Sequence, residues 1–218
     1  MSTAAHDNGA TGGQVPGRGA AGREITAVGH ADLSPRTLAL VESAFLERLE
    51  RLERLERLER LERHVGPGPV TVRCGAGAPL AFGRAAGAAG RRLIVVVPTH
   101  DGVPALPPPR DRTAAGELLN LADQARLLPY EPDHRDSCVG ADERMIAAGG
   151  LLLAAWDGSP SDGLDATAHL VAYARARGIP VEIVWPAGAE RGTGKTVPAP
   201  SAVLPAAGTT GPPGARRS

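Results

Sequence analysis

Four short stretches place chemically active side chains beside glycine. They are Gly29-His30-Ala31-Asp32, Cys74-Gly75-Ala76-Gly77-Ala78, Pro98-Thr99-His100-Asp101-Gly102 and Trp156-Asp157-Gly158-Ser159-Pro160-Ser161-Asp162-Gly163. Each follows an apolar run. Glycine lets backbone N–H groups approach a bound molecule, and a helix starting just after such a turn favours an anion. One glycine turn is an ordinary link between strand and helix. Four at the same edge of a sheet predict a binding site.

Other chemistry is weaker. Ala189-Glu190-Arg191-Gly192-Thr193-Gly194-Lys195-Thr196 satisfies a loose phosphate-loop pattern. Such a loop must lead into a helix, and Val197-Pro198-Ala199-Pro200 argues against one. The six histidines show no i, i+4 pairing with one another, so no metal site is expected. His30 is the one histidine on a leading glycine loop. Cys138 precedes a helical run that would lower its pKa, with no catalytic partner in view. Asp142-Glu143-Arg144 reads as a solvated helix face, with a ligand-facing carboxylate as the alternative, because this helix feeds the strand before the Trp156-Asp157-Gly158 loop. Trp156 and Trp185 read as packing residues at strand ends.

The elements that must position these loops alternate. Strands are expected at Glu24–Val28, Val70–Arg73, Leu93–Val97, Ala125–Leu128, Leu151–Ala155 and Val181–Trp185. Helices are expected at Pro35–His64, Ala78–Ala89, Thr113–Gln124, Ser137–Ala148 and Leu164–Arg177. Leu93-Ile94-Val95-Val96-Val97 is apolar throughout, as suits a strand covered on both faces. The alternation predicts an α/β fold, Rossmann-like and doubly wound, with a mostly parallel sheet of about six strands. Ligands of such sheets bind beyond the carboxyl ends of the strands. Ser34 before Pro35 marks a helix start, and Gly178 before Pro180 marks a helix end.

Composition sets the outer limits. The chain has 218 residues, enough for one domain of good size. Lys plus Arg equals Asp plus Glu, 24 each, which disfavours a nucleic-acid partner bound through its phosphates. Two cysteines in unrelated contexts suit a reduced cytoplasm. No apolar run approaches a membrane span. Aromatics are 3% of residues, so Ala, Val, Leu and Ile must build the core. Residues 1–22 and 187–218 are rich in Gly, Ala and Pro and read as disordered tails around a domain at 23–186.

Leu46 to Arg63 is Leu-Glu-Arg six times over. All three residues favour helix, and each Glu meets an Arg four residues on, as in Glu47–Arg51 and Glu50–Arg54. Leucine every third residue falls short of a helical turn by about 60° per step. The leucines must therefore spiral around the helix instead of forming a heptad seam. Some face solvent or a partner, so a homodimer contact is one reading of the run.

A resemblance joins these features. Leu151 to Ala189, "LLLAAWDGSPSDGLDATAHLVAYARARGIPVEIVWPAGA", resembles the last strand–loop–helix–strand unit of the SLOG superfamily, which includes the DprA proteins and the LOG hydrolases. Ala27 to His30 resembles its first glycine loop, and Cys74 to Phe82 its second. The resemblance implies a Rossmann-like fold that holds the phosphate or ribose of a nucleotide-like molecule. By position it implies a pocket lined by Gly29, Gly75, Gly77, Asp157, Gly158 and Thr167, joined by His30 and Asp165. The LOG hydrolases carry Gly-Gly-x-Gly-Thr-x-x-Glu with a catalytic Glu. Here Asp165 and Ala166 replace the glycines before Thr167, and Leu170 stands at the Glu position. The expected role is thus a nucleotide or nucleotide-derivative sensor, with no cofactor. The alternatives are a glycosidic-bond hydrolase with Asp157, Asp165 or Glu143 replacing the Glu, and a protein-contact module built on the Leu-Glu-Arg helix.

Overall fold

Strand–helix alternation in the sequence becomes β1 (Ile25–Gly29), α1 (Pro35–Arg63), β2 (Val70–Arg73), α2 (Ala78–Ala88), β3 (Leu93–His100), β4 (Val103–Pro104), α3 (Arg112–Leu121), β5 (Gln124–Pro129), α4 (Arg135–Ala148), β6 (Leu151–Ala155), α5 (Thr167–Ala176) and β7 (Val181–Ile183). The computed structural model describes residues 23–63 and 67–192. The tails expected at 1–22 and from 193 onward lie outside the described residues, as does His64.

Six strands run parallel in the order β5-β3-β2-β1-β6-β7. The seventh, β4, pairs antiparallel with the end of β3. From β1 the chain steps outward through β2 and β3 to β5, with α1, α2 and α3 on one face. It then returns across the sheet to β6, on the other side of β1, and α4 and α5 cover the opposite face. The order reverses between β1 and β6, whose ends meet at Gly29 and Ala155. This switch point is where the fold opens a crevice.

Alternation within the strands divides the core. Ile25, Ala27, Val70, Val72, Val95 and Leu153 face α1, α2 and α3. Val28, Leu152 and Ala154 face α5, and Val96 faces α4. Phe45 of α1 meets Phe82 of α2 edge-on at 5.2 Å.

The Leu-Glu-Arg run behaves as helical geometry requires. Thr37, Val41, Phe45 and Leu49 form the buried stripe at four-residue spacing. Leu49 is fully buried, Leu52 is half-buried, Leu55 is 54% exposed and Leu58 is 65% exposed. Each step of three residues turns the leucine about 60° further from the core. Of the expected Glu–Arg pairs, Arg51 leaves Glu47 and joins Arg48 on Glu182 of β7, at 2.8 and 3.2 Å. Glu53–Arg57 keeps the i, i+4 form at 3.2 Å.

Boundaries differ where side chains redirect the backbone. The helix expected over Thr113–Gln124 stops at Leu121. Asp123 accepts the Leu93 N–H with its carboxylate (2.8 Å) and donates its own N–H to Leu93 O (3.0 Å), which draws Gln124 into β5. The helix expected from Leu164 starts at Thr167, because the Asp162 carboxylate holds the N–H groups of Leu164 and Asp165 at 2.7 Å each. Ser34 caps α1 through the Thr37 N–H at 3.2 Å. Gly178 (φ 69°) ends α5, with the Ile179 N–H donating to Ala174 O at 3.0 Å.

The boundary expected at Pro186 is also corrected. Ala187–Gly192 is a strap, not a tail. Arg191 bridges Leu33 and binds Asp32 through both carboxylate oxygens, at 3.1 and 3.2 Å. Glu190 exchanges two hydrogen bonds with the Thr37 hydroxyl. Among the described residues no helix is long and apolar enough to cross a membrane.

Candidate functional site

The crevice at the switch point is a cleft of about 310 Å³, at the small end of the range for small-molecule sites. β1 supplies its floor through Ala27, Val28 and Gly29, and β2 supplies Arg73. Gly75, Ala76 and Pro79 bring the start of α2 to it, and Asp165, Ala166 and Thr167 bring the start of α5. α4 lays a full stripe along it: Arg135, Cys138, Val139 and Asp142, at i, i+3, i+4 and i+7.

Four of the eight expected residues, Gly29, Gly75, Asp165 and Thr167, line this cleft. The other four do not. His30 is fully buried behind the cleft, edge-on to Trp185 at 5.4 Å. Its Nδ1 lies 2.8 Å from Asp165 Oδ2 and its Nε2 lies 3.0 Å from Asp157 Oδ1. Asp157 is thereby drawn away from the cleft, and its carboxylate also accepts the Ser159 N–H at 2.8 Å. Gly158 (φ 89°) forms the outer turn of that loop. These residues position the rim; they do not form the cleft surface.

His30 lies between the two carboxylates, which shift its balance toward the protonated form. Burial opposes the charged imidazole. The Asp165 hydrogen bond and the charges of Asp165 and Asp157 outweigh burial and raise the pKa above 6.5. Asp165 and Asp157 are both held below the ordinary carboxylate range. Burial pushes each upward, and hydrogen bonds from His30, from Thr167 to Asp165 and from Ser159 to Asp157 reverse it. Asp165 also takes the free N–H of Thr167 (2.9 Å) and its hydroxyl (3.2 Å). The first turn of α5, which the sequence reading gave to a ligand, is thus served by a carboxylate of the chain itself.

Gly77 has a backbone role. Its φ is 69°, and a Cβ there would meet the carbonyl oxygens of Ala31 and His30 at 2.5 Å. The loops after β1 and β2 touch at this point, where the Ala78 N–H donates to His30 O (2.9 Å). Gly77→Ala is expected to lower stability by roughly 1–3 kcal/mol. Gly75→Ala, where the nearest atom lies 3.9 Å from a built Cβ, is expected to change it by less than about 1 kcal/mol. Urea unfolding of both variants measures the difference, and equal losses would refute the role given to Gly77.

Sequence reasoning misses Arg73, Arg110 and Arg135, which give the cleft its positive charge, and offers a carboxylate of the Asp142-Glu143 pair only as an alternative. Arg73 Nε donates to Asp142 Oδ1 at 2.8 Å, and the guanidinium lies 5.9 Å from the centre of the Tyr130 ring. Asp142, read as part of a solvated face, is 7% exposed. Burial raises its pKa and Arg73 pulls it back only in part. Arg110, Asp111 and Asp133 stand at the mouth with Arg135. The helical spacing of the α4 stripe was the signal that could have revealed Asp142. Cys138 lies inside α4, and burial raises its pKa, contrary to the lowering expected at a helix start. Burial also pushes Cys74 up to about 11. Among the described residues His30, Asp32 and Asp165 lie close enough to share an ion, but Asp32 is bound to Arg191, and both His30 nitrogens are engaged.

No family model and no curated protein matches the chain. Among solved structures it is similar to the uncharacterized protein ATU2773 from Agrobacterium tumefaciens C58, at 14% identity and a TM-score of 0.22. That alignment covers 77% of this chain and 65% of the other, so the chain spans just under two thirds of that protein's length.

Proposed function

We propose that the chain is a binding or sensing domain for a nucleotide or nucleotide derivative, of the SLOG type and cytoplasmic. The observation that carries this reading is the cleft at the switch point, where the starts of α2, α4 and α5 and the side chains of Arg73, Arg110 and Arg135 converge. The starts of α2 and α4 together with Arg110 and Arg135 favour an anionic group at the mouth, and glycine at 75 leaves room for it against the backbone. The two free cysteines accord with a reducing compartment.

Hydrolysis is the weaker reading. The three carboxylates offered for it are engaged elsewhere: Asp157 and Asp165 by His30, and Glu143 by His169 at 2.7 Å. A protein-contact role for α1 draws support from the exposure of Leu55 and Leu58.

Thermal unfolding with a panel of nucleoside monophosphates tests the proposal. A ligand at one hundred times its Kd adds about 2.7 kcal/mol, so a melting point raised by roughly 5–10 °C is expected with at least one of them. Chromatography of the same samples is expected to find no released base. Absence of any shift would sink the proposal and leave the α1 contact as the surviving role; released base would replace sensing by hydrolysis.

A further inference from the structure

The floor of the cleft carries both a donor and an acceptor. Arg73 spends its Nε on Asp142, and its two terminal nitrogens have no acceptor among the described residues. Asp142 likewise spends Oδ1 on Arg73 and leaves Oδ2 without a donor among the described residues. Both side chains line the cleft, and none of these unpaired atoms is sealed from it. Tyr130 backs the guanidinium from the protein side.

A cation and an anion in contact nearly cancel. A phosphate placed on Arg73 would face the Asp142 carboxylate and be repelled. A neutral group offering one acceptor and one donor side by side would satisfy both, because an ionised partner strengthens each hydrogen bond. The edge of a nucleobase is such a group. We infer that the Arg73–Asp142 pair binds the hydrogen-bonding edge of the base, so that the ligand enters base first, with its phosphate at the mouth of the cleft.

Two features of the mouth agree. Arg135 and Asp142 lie on one face of α4, seven residues and about 10 Å apart along its axis, so the rim cation is well separated from the floor pair. The α5 start is occupied by Asp165, which leaves Arg110, Arg135 and the first turn of α2 for the anion. Arg110 pairs with Asp111 at 3.7 Å and Arg135 with Asp136 at 3.1 Å, and these carboxylates hold the mouth near neutrality, which favours a monophosphate over a polyphosphate.

This inference rests on the nucleotide reading. The test uses the full chain and titration calorimetry with the tightest nucleoside monophosphate of the panel, its parent nucleoside and ribose 5-phosphate. Asp142→Asn is expected to weaken the nucleotide and the nucleoside at least tenfold and to leave ribose 5-phosphate unchanged. Arg110→Gln is expected to weaken the nucleotide and ribose 5-phosphate and to leave the nucleoside unchanged. A ligand-side measurement needs no variant: the same nucleotide methylated on its base-pairing edge is expected to bind the natural chain at least tenfold more weakly. Equal affinity for the methylated nucleotide, or an Asp142→Asn loss equal for ribose 5-phosphate and nucleotide, overturns the orientation while the nucleotide reading stands. No binding of any probe by the natural chain overturns both.

Discussion

Replacing His30 by alanine is expected to lower the stability of the fold by about 3–5 kcal/mol and its melting point by roughly 10 °C. His30 ties the end of β1 to the start of α5 through Asp165 and to the end of β6 through Asp157, at 2.8 and 3.0 Å. Its removal leaves the buried Asp165 carboxylate with Thr167 as its hydrogen-bond partner among the described residues, and opens a void beside Trp185. The pH dependence separates this effect from loss of packing. The folded pKa of His30 is raised, so its contribution is complete below 6.5 and fades as pH rises through the folded value. The folded pKa values of Asp157 and Asp165 are lowered, so their contribution is complete above the ordinary 3.8 and fades as pH falls. The natural chain is therefore expected to be most stable between these limits. His30→Ala is expected to lose the alkaline decline that His30 causes. Denaturant midpoints from about pH 2 to 9 measure both limbs, and an unchanged alkaline limb in the variant would refute the charged pairing.

The parallel core was legible because it is covered on both faces. Leu151–Ala155 falls where its apolar run predicts, since burial on both sides leaves no place for an unpaired polar residue mid-strand; Val70–Arg73 falls where expected too, its buried Thr71 donating its hydroxyl to Glu24 at 2.6 Å. β4 was missed because two residues, Val103 and Pro104, are too few to show a period. Its signal was the preceding Asp101-Gly102, both at positive φ, a pair that marks tight hairpins. The glycine loops showed which edge of the sheet to examine. They did not show that His30 turns inward, because its partners lie 127 and 135 residues away and no local pattern encodes that distance. Arg73 was hidden for a related reason. A charged residue at a strand end ordinarily meets water, and the arrival of Asp142 from α4 is what lets Arg73 lie half-buried in the cleft floor.

That burial leads to the second large effect. Asp142→Leu alone is expected to cost about 2–3 kcal/mol, because it leaves the half-buried Arg73 guanidinium without its counter-charge. The double variant Arg73→Met with Asp142→Leu is expected to recover nearly all of that loss and to lie within about 1 kcal/mol of the natural chain. Desolvation of two charges offsets most of their mutual attraction, so an apolar pair of similar volume packs about as well. The raised pKa of Asp142 points the same way: even beside Arg73 its charge remains unfavourably buried. A pair that adds little to the fold, yet keeps a donor and an acceptor without partners among the described residues, is what the proposed recognition of a base requires. The double variant should accordingly unfold like the natural chain in urea while showing no thermal shift with nucleotide. A double variant that stays as unstable as Asp142→Leu would make the pair a structural element and remove this argument for its role in recognition.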